Sequence, residues 1–275
     1  MKLRDPIVAL VAAGTLAASA ASAQDLFAGS PDTTIQRGTT LAQDEDVAVD
    51  NQLGIVLLED LGTLPTAAEV TAYGLAVNGD RLFSVETTTS LLGGVVARPR
   101  DVVRWDGAAY AIELDGSSEG VPPGVAIDAV SEAPGGLLVS FDTTVSLDAQ
   151  TFADEDLARW DGGLFVSVFD GSAAGLGSVY DVDAAQDLGG GAFLVSLETS
   201  GSVGGVGFDD EDVLRYDGAS WSLEIDASTL DADWRAADLD AVQVPEPRAT
   251  AALVTGVAAV ATFARRRRRM PEARR

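Results

Sequence analysis

The chain repeats itself at a spacing of 56 residues, and a unit of that size can bury its apolar faces only against neighbouring copies. Ser84-Val85-Glu86-Thr87, Ser140-Phe141-Asp142-Thr143 and Ser196-Leu197-Glu198-Thr199 mark three plain copies. Each is followed by an Arg-aromatic-Asp-Gly marker: Arg104-Trp105-Asp106-Gly107, Arg159-Trp160-Asp161-Gly162 and Arg215-Tyr216-Asp217-Gly218. Further markers follow at Asp115, Asp170 and Asp226, and then at Ile127-Asp128-Ala129, Val182-Asp183-Ala184 and Leu239-Asp240-Ala241. A degenerate copy comes first, with Ser30-Pro31-Asp32-Thr33, Asp44-Glu45-Asp46 and an Asp50-Asn51 set against the Asp-Gly of the others. Terminal repeats are commonly atypical.

Each unit of about 55 residues reads as four short strands. In the third plain copy they are expected at Val179–Ala184, Ala192–Glu198, Asp212–Tyr216 and Ser220–Ile225, separated by Gly, Asp and Ser clusters. Four such strands are the content of one propeller blade. The array begins in phase with a second strand, Phe27–Thr33, and ends with a lone first strand, Asp238–Val242. Pairing these two completes a fourth blade and removes the open edges that make sheets sticky. The expected fold is therefore all-β, a four-bladed β-propeller closed by its last strand; a β-solenoid or stacked β-sandwich is the alternative.

Composition excludes much chemistry. With no histidine and no cysteine, the chain cannot build Ser-His-Asp or Cys-His catalysis, the usual zinc, copper or haem sites, or disulfides. Residues 24–243 read as the folded body. Setting aside Lys2, Arg4, Asp5, Glu272 and the seven arginines beyond position 264 leaves 9 basic against 41 acidic residues, Arg248 and Glu246 just past the body among them, a charge near −32. Such a surface repels nucleic acid and favours cations.

Acidic clusters precede the third strand of three units, and Asp44, Asp46, Asp154, Asp156, Asp210 and Asp212 are candidate calcium ligands. The competing expectation is that they are turn and strand-start residues, since no stretch fits a twelve-residue EF-hand loop. The second unit has Arg98-Pro99-Arg100-Asp101 there and keeps only the last aspartate. The Arg-aromatic pairs suit either blade scaffolding or a platform for sugars and acidic polymers. Polar residues that break the repeat at one blade, Arg98, Arg100, Glu119 and Arg235 beside Trp234, assemble no recognisable acid–base pair. The glycine clusters Gly93-Gly94 and Gly189-Gly190-Gly191 lack the lysine and helix of a phosphate loop. No catalytic residue and no cofactor beyond calcium is expected.

The ends carry addresses. Lys2 and Arg4, the apolar Ile7–Ala20 stretch and Ala21-Ser22-Ala23 form a signal peptide over residues 1–23, with cleavage between Ala23 and Gln24. The Sec translocon and signal peptidase are the implied partners. At the other end, Val244-Pro245-Glu246-Pro247 precedes an apolar run over 249–264 and a basic stop, Arg265, Arg266, Arg267, Arg268 and Arg269. Sixteen apolar or small residues are short for a free-standing span, and the arginines belong on the cytoplasmic side. Residues 244–275 resemble the PEP-CTERM tail of exported bacterial proteins, and the repeat resembles blades seen in other proteins with that tail. The resemblance implies passage through the inner membrane, cleavage by exosortase, and delivery to the cell surface or extracellular matrix. It implies no known activity. The function expected is a non-catalytic surface or matrix protein associated with exopolysaccharide or biofilm. The alternatives are a propeller enzyme acting on polysaccharide through paired carboxylates and a glycan-binding module.

Overall fold

The computed structural model describes residues 26–244. The predicted cleavage site at Ala21, Ala23 and Gln24, the residues Pro245, Glu246 and Pro247, the apolar run over 249–264 and Arg265–Arg269 lie outside the described residues. Among the described residues no helix is long and apolar enough to cross a membrane.

The fold is a four-bladed β-propeller. The chain first lays down β1 (Phe27–Pro31), β2 (Ile35–Arg37), β3 (Thr40–Ala42), β4 (Ala48–Asp50) and β5 (Ile55–Leu58). The second unit holds β6 (Val70–Leu75), β7 (Arg81–Val85), β8 (Thr89–Ser90), β9 (Val96–Ala97), β10 (Val102–Trp105) and β11 (Tyr110–Leu114). The third holds β12 (Ala129–Ala133), β13 (Gly136–Ser140), β14 (Val145–Leu147), β15 (Gln150–Phe152), β16 (Leu157–Trp160) and β17 (Phe165–Phe169). The fourth holds β18 (Ala184–Gly189), β19 (Ala192–Ser196), β20 (Gly201–Val203), β21 (Val206–Phe208), β22 (Val213–Tyr216) and β23 (Trp221–Ile225), and β24 (Leu239–Gln243) closes the array.

Three blades are continuous in sequence: β6-β7-β10-β11, β12-β13-β16-β17 and β18-β19-β22-β23. Blade 1 is built from both ends in the order β24-β1-β4-β5, with Gly29 opposite Val242 and Ser30 opposite Ala241. Closure by the last strand is therefore as the repeat phase implies. Two details differ from the sequence reading. Each unit carries an extra two-stranded hairpin between its second and third blade strands, such as β14-β15. The inner strand of the fourth unit is Ala184–Gly189 rather than Val179–Ala184, because Gly177–Tyr180 is spent on a turn closed by Tyr180 N to Gly177 O at 3.1 Å.

The core lies between blades. Leu82 and Leu114 of blade 2 pack with Val139, Phe141 and Phe165 of blade 3, and Leu138 and Phe169 of blade 3 pack with Phe193 and Trp221 of blade 4. Ala184 and Leu194 of blade 4 meet Phe27, Trp234 and Leu239 at the closing seam, while Val49 of blade 1 meets Tyr73 and Phe83 of blade 2. Successive residues such as Leu82 and Phe83 feed opposite seams, since side chains alternate across a strand. That explains the continuous apolar runs of the second strands: both faces are buried.

Four inner strands surround the axis, and side chains stitch each to the next. The Thr71 hydroxyl donates to Ile127 O (3.2 Å), Asp187 N donates to the Ser131 hydroxyl (3.3 Å), Gln186 bonds both backbone groups of Val244 (2.7 and 2.9 Å), and Leu75 N donates to Gln243 Oε1 (3.4 Å). The approach is close enough that a Cβ at Gly74 would run into the Val130 carbonyl of the adjacent inner strand.

Candidate functional site

The repeated markers are first of all scaffold. The last aspartate of each acidic loop folds back on its own turn and reaches into the following one. Asp101, Asp156 and Asp212 accept from Arg98 N, Ala153 N and Asp209 N through one oxygen, and from Gly116 N, Gly171 N and Ala227 N through the other, all at 2.9–3.0 Å. Asp46 accepts from Gln43 N at 3.0 Å. This is why the second unit, which loses the rest of the cluster, keeps Asp101. The motif serines hold the same loops from below: the hydroxyls of Ser30, Ser84 and Ser196 donate to the carbonyls of Asp46, Asp101 and Asp212 at 2.7–3.0 Å.

The Arg-aromatic-Asp-Gly markers behave alike. Asp106, Asp161 and Asp217 each accept two backbone N–H groups of their own turn at 2.8–3.1 Å, and those donors hold Asp106 and Asp217 below the usual carboxylate range. Trp105 stacks on Tyr110 at 4.5 Å and Tyr216 on Trp221 at 5.0 Å. Arg104 bridges Glu113 (2.7 Å) and Asp80 (3.1 Å), and Arg159 meets Asp187 (2.7 Å). In blade 1 the turn falls on Asn51 and Gln52, one residue later than the Asp50-Asn51 alignment: Asn51 N donates to Gly54 O as Asp106 N does to Ala109 O. Asp50 thus occupies the aromatic's place, buried against Arg37 (2.8 Å) and Trp234 Nε1 (3.1 Å). The remaining repeat breaks are also structural. Arg98 meets Asp101 at 3.5 Å, Arg100 donates to Val121 O, Arg235 donates to Ser228 O, and Glu119 accepts from Trp160 Nε1.

A different set of carboxylates gathers at the propeller axis. Glu86, Asp142, Glu198 and Asp32 follow the motif serine by two residues, and their N–H groups donate to the carbonyls of Glu69, Ala126, Asp181 and Asp238 on the inner chain segments at 3.1–3.2 Å. These bonds fix the equivalence of the four blades at the mouth. Two residues further along the inner segments come Thr71, Asp128, Asp183 and Asp240, on the same side by strand alternation. Exposure falls with depth: the four mouth acids are exposed, Glu69, Asp181, Asp238, Asp128 and Asp240 are half-buried, and Asp183 is 8% exposed.

Burial and mutual repulsion act together here. Burial, then the neighbouring Asp154, Glu198 and Asp142 charges, lift Asp181 to about 7. Burial lifts Asp238 to about 7, and burial with Asp238 and Glu69 nearby lifts Asp240 to about 8. Glu69 reaches about 7 through burial and a hydrogen bond shared with Glu86. Asp128 and Asp183 are pushed well above the ordinary value, by burial first and then by the other axial acids. The clamped Asp101, Asp156 and Asp212 are raised by burial too, but two backbone N–H groups pull each back.

Of the six acids singled out in the sequence, Asp46, Asp156 and Asp212 serve as loop clamps. Asp44, Asp154 and Asp210 border the axial mouth, where their charges bear on Glu69, Asp181 and Asp238. The axial acids Asp128, Asp183 and Asp240 were visible only as a repeat marker. Their signal is an aspartate set between apolar residues at the start of an inner strand, a place where an unpaired acid is costly. Chemically, such a cluster can hold protons or cations and repels anionic polymers.

No protein-family model matches the chain, and no curated protein is similar to it. A solved structure of a protein of unknown function from Bacteroides caccae aligns with 12% identity and a TM-score of 0.29, over 72% of this chain and 56% of that one. This chain therefore spans little more than half of that protein's length, and a likeness so slight carries neither fold nor function. The propeller assignment rests on the sheet order and the closing strand pair.

Proposed function

We propose that this is an exported, exosortase-sorted protein of the cell surface or extracellular matrix, whose propeller body is a non-catalytic module associated with exopolysaccharide. The observation that carries the reading is the order of segments: a basic start and apolar stretch ending in Ala21-Ser22-Ala23, a complete repeat body, then Val244-Pro245-Glu246-Pro247, an apolar run and five arginines. The fold lends support at one point. The last strand ends at Gln243 and Val244 is bonded to Gln186, so the ring is closed by residues that precede Pro245 in the sequence, and a cut within Pro245-Glu246-Pro247 would remove no blade strand. A body without histidine, whose conspicuous motifs are spent on turns, suits a structural role. So strongly acidic a surface would meet an acidic polymer with cations between them.

The test is to express the full chain, tagged within an exposed loop such as Gly189-Gly190-Gly191, in a Gram-negative host with and without its exosortase gene. The expected product is a shortened, surface or extracellular form in the first strain and a full-length, inner-membrane form in the second. The same size and location in both strains would overturn the proposal.

A further inference from the structure

Of the carboxylates this fold buries, Asp183 is the anomaly. It is 8% exposed, and both its oxygens are buried with no hydrogen-bond partner among the described residues. Asp181 Oδ1 is likewise buried and unpartnered. Asp50, at 0% exposed, has a guanidinium and an indole N–H, and Asp101 and Asp212 have two backbone N–H groups each. An ionised carboxylate removed from water without donors costs several kcal/mol. The charges that bear most on Asp183 are Asp238, Asp240, Asp181 and Asp128, all acids. Residues 26–244 contain eight arginines and no lysine, and none of the eight bonds to these four acids or to Asp183. Positive charge is missing where the fold most requires it.

We propose that the axial cluster is a divalent-cation site with Asp183 at its base and Asp128, Asp181, Asp238 and Asp240 around it. The four inner strands are stitched at fixed spacing, so acids from two full blades and the closing strand are held about one axis. An ion bound there ties the closing strand β24 to blades 3 and 4, which links occupancy to ring closure. The ligands are all oxygen, which suits a hard ion. No three acids stand in a preformed shell among the described residues, so side-chain rotation and water complete the coordination. That tolerance favours calcium, with its six to eight adaptable ligands, over octahedral magnesium. The inference does not depend on the proposed export or sorting.

The test uses the full chain in mild detergent, stripped with a chelator and titrated with calcium chloride in calorimetry and in thermal unfolding, with magnesium and sodium as controls. A saturable calcium site and a rise in Tm of about 5 °C are expected, with little response to magnesium. Asp183→Asn should weaken binding about tenfold or more, while Asp161→Asn, in an exposed turn, should leave it unchanged. Asp240→Asn provides a second probe should the first variant fold poorly. Weak, unsaturable uptake that ignores both axial substitutions would mean a screening atmosphere on an acidic surface and overturn the site. Absence of calcium uptake, with the cluster held by protons alone, would overturn it equally.

Discussion

The loop carboxylates and the axial carboxylates are the same functional group buried in two ways. Asp212 is 4% exposed and Asp183 is 8% exposed, so burial does not separate them. Donors do. Asp212 sits between two backbone N–H groups at 2.9 Å, whereas neither oxygen of Asp183 has a partner among the described residues and its strongest neighbours are acids. The first arrangement spends charge on holding two turns together. The second leaves charge in reserve for something that is not part of the chain. A carboxylate repeated from blade to blade, in all four at the clamp and in three at the axis, is thus scaffold or site according to what faces it, and repetition alone does not decide which.

The largest effect expected from this contrast is at the clamp. Asp212→Ala strands the buried N–H group of Ala227 and removes the part-buried acceptor of Asp209 N, and should cost about 3 kcal/mol in urea unfolding. Asp212→Asn keeps one acceptor and should cost roughly half as much. A loss below about 0.5 kcal/mol for the alanine variant would show that the loop finds other partners, and would remove one side of the comparison.

Much of this architecture is legible in the residues. The 56-residue spacing gives the blade count, and the lone strand at Asp238–Val242 gives the closure found between β24 and β1. The apolar runs of the second strands tell of two buried faces. The hairpins are not legible, because strands of two or three residues such as Thr89–Ser90 are too short for alternation to show. The inner strand of blade 4 is displaced because Val179 to Ala184 alternates like a strand while its first residues turn at Gly177–Tyr180. Asp50 hides its role because its partners, Arg37 and Trp234, come from opposite ends of the body. The axial site is hidden for the same reason. Asp128, Asp183 and Asp240 lie 55 and 57 residues apart, and only ring closure makes them neighbours.

The pH dependence should sharpen the comparison with a somewhat smaller effect. The axial acids have ordinary values near 3.8–4.5 when unfolded and are raised to about 7 for Asp181, Asp238 and Glu69 and about 8 for Asp240 in the fold. A raised carboxyl holds its proton more tightly in the folded state. Its contribution is complete below the unfolded value and is lost as pH rises through the folded one. In chelator, stability should therefore decline from pH 5 to pH 9 by about 2 kcal/mol, a discounted figure because most of these groups are partly solvated. The fall in Tm should be about 5 °C by calorimetry. Stability that is level or climbs across that range would mean that the axial acids are ionised in the fold, and that they find donors there.

The smallest effect is the most discriminating, because one substitution should act with opposite sign at the two places. Asparagine keeps the shape of aspartate, removes its charge and adds two donors. At Asp212 each oxygen accepts a backbone N–H group, and an amide would set its own NH2 against one of those donors, so the substitution is destabilising. At Asp183 the charge is opposed by Asp238, Asp240, Asp181 and Asp128, so removing it relieves repulsion in a buried place. Asp183→Asn should therefore stabilise the chelator-treated protein by about 1 kcal/mol and raise Tm by about 3 °C, in line with the gains seen when unfavourable buried charge is neutralised. The gain should shrink at pH 5, where the wild-type cluster is protonated, and widen toward pH 9. If Asp183→Asn and Asp212→Asn both destabilise, Asp183 is clamped like the rest, and the axial acids are scaffold that the fold happens to turn inward.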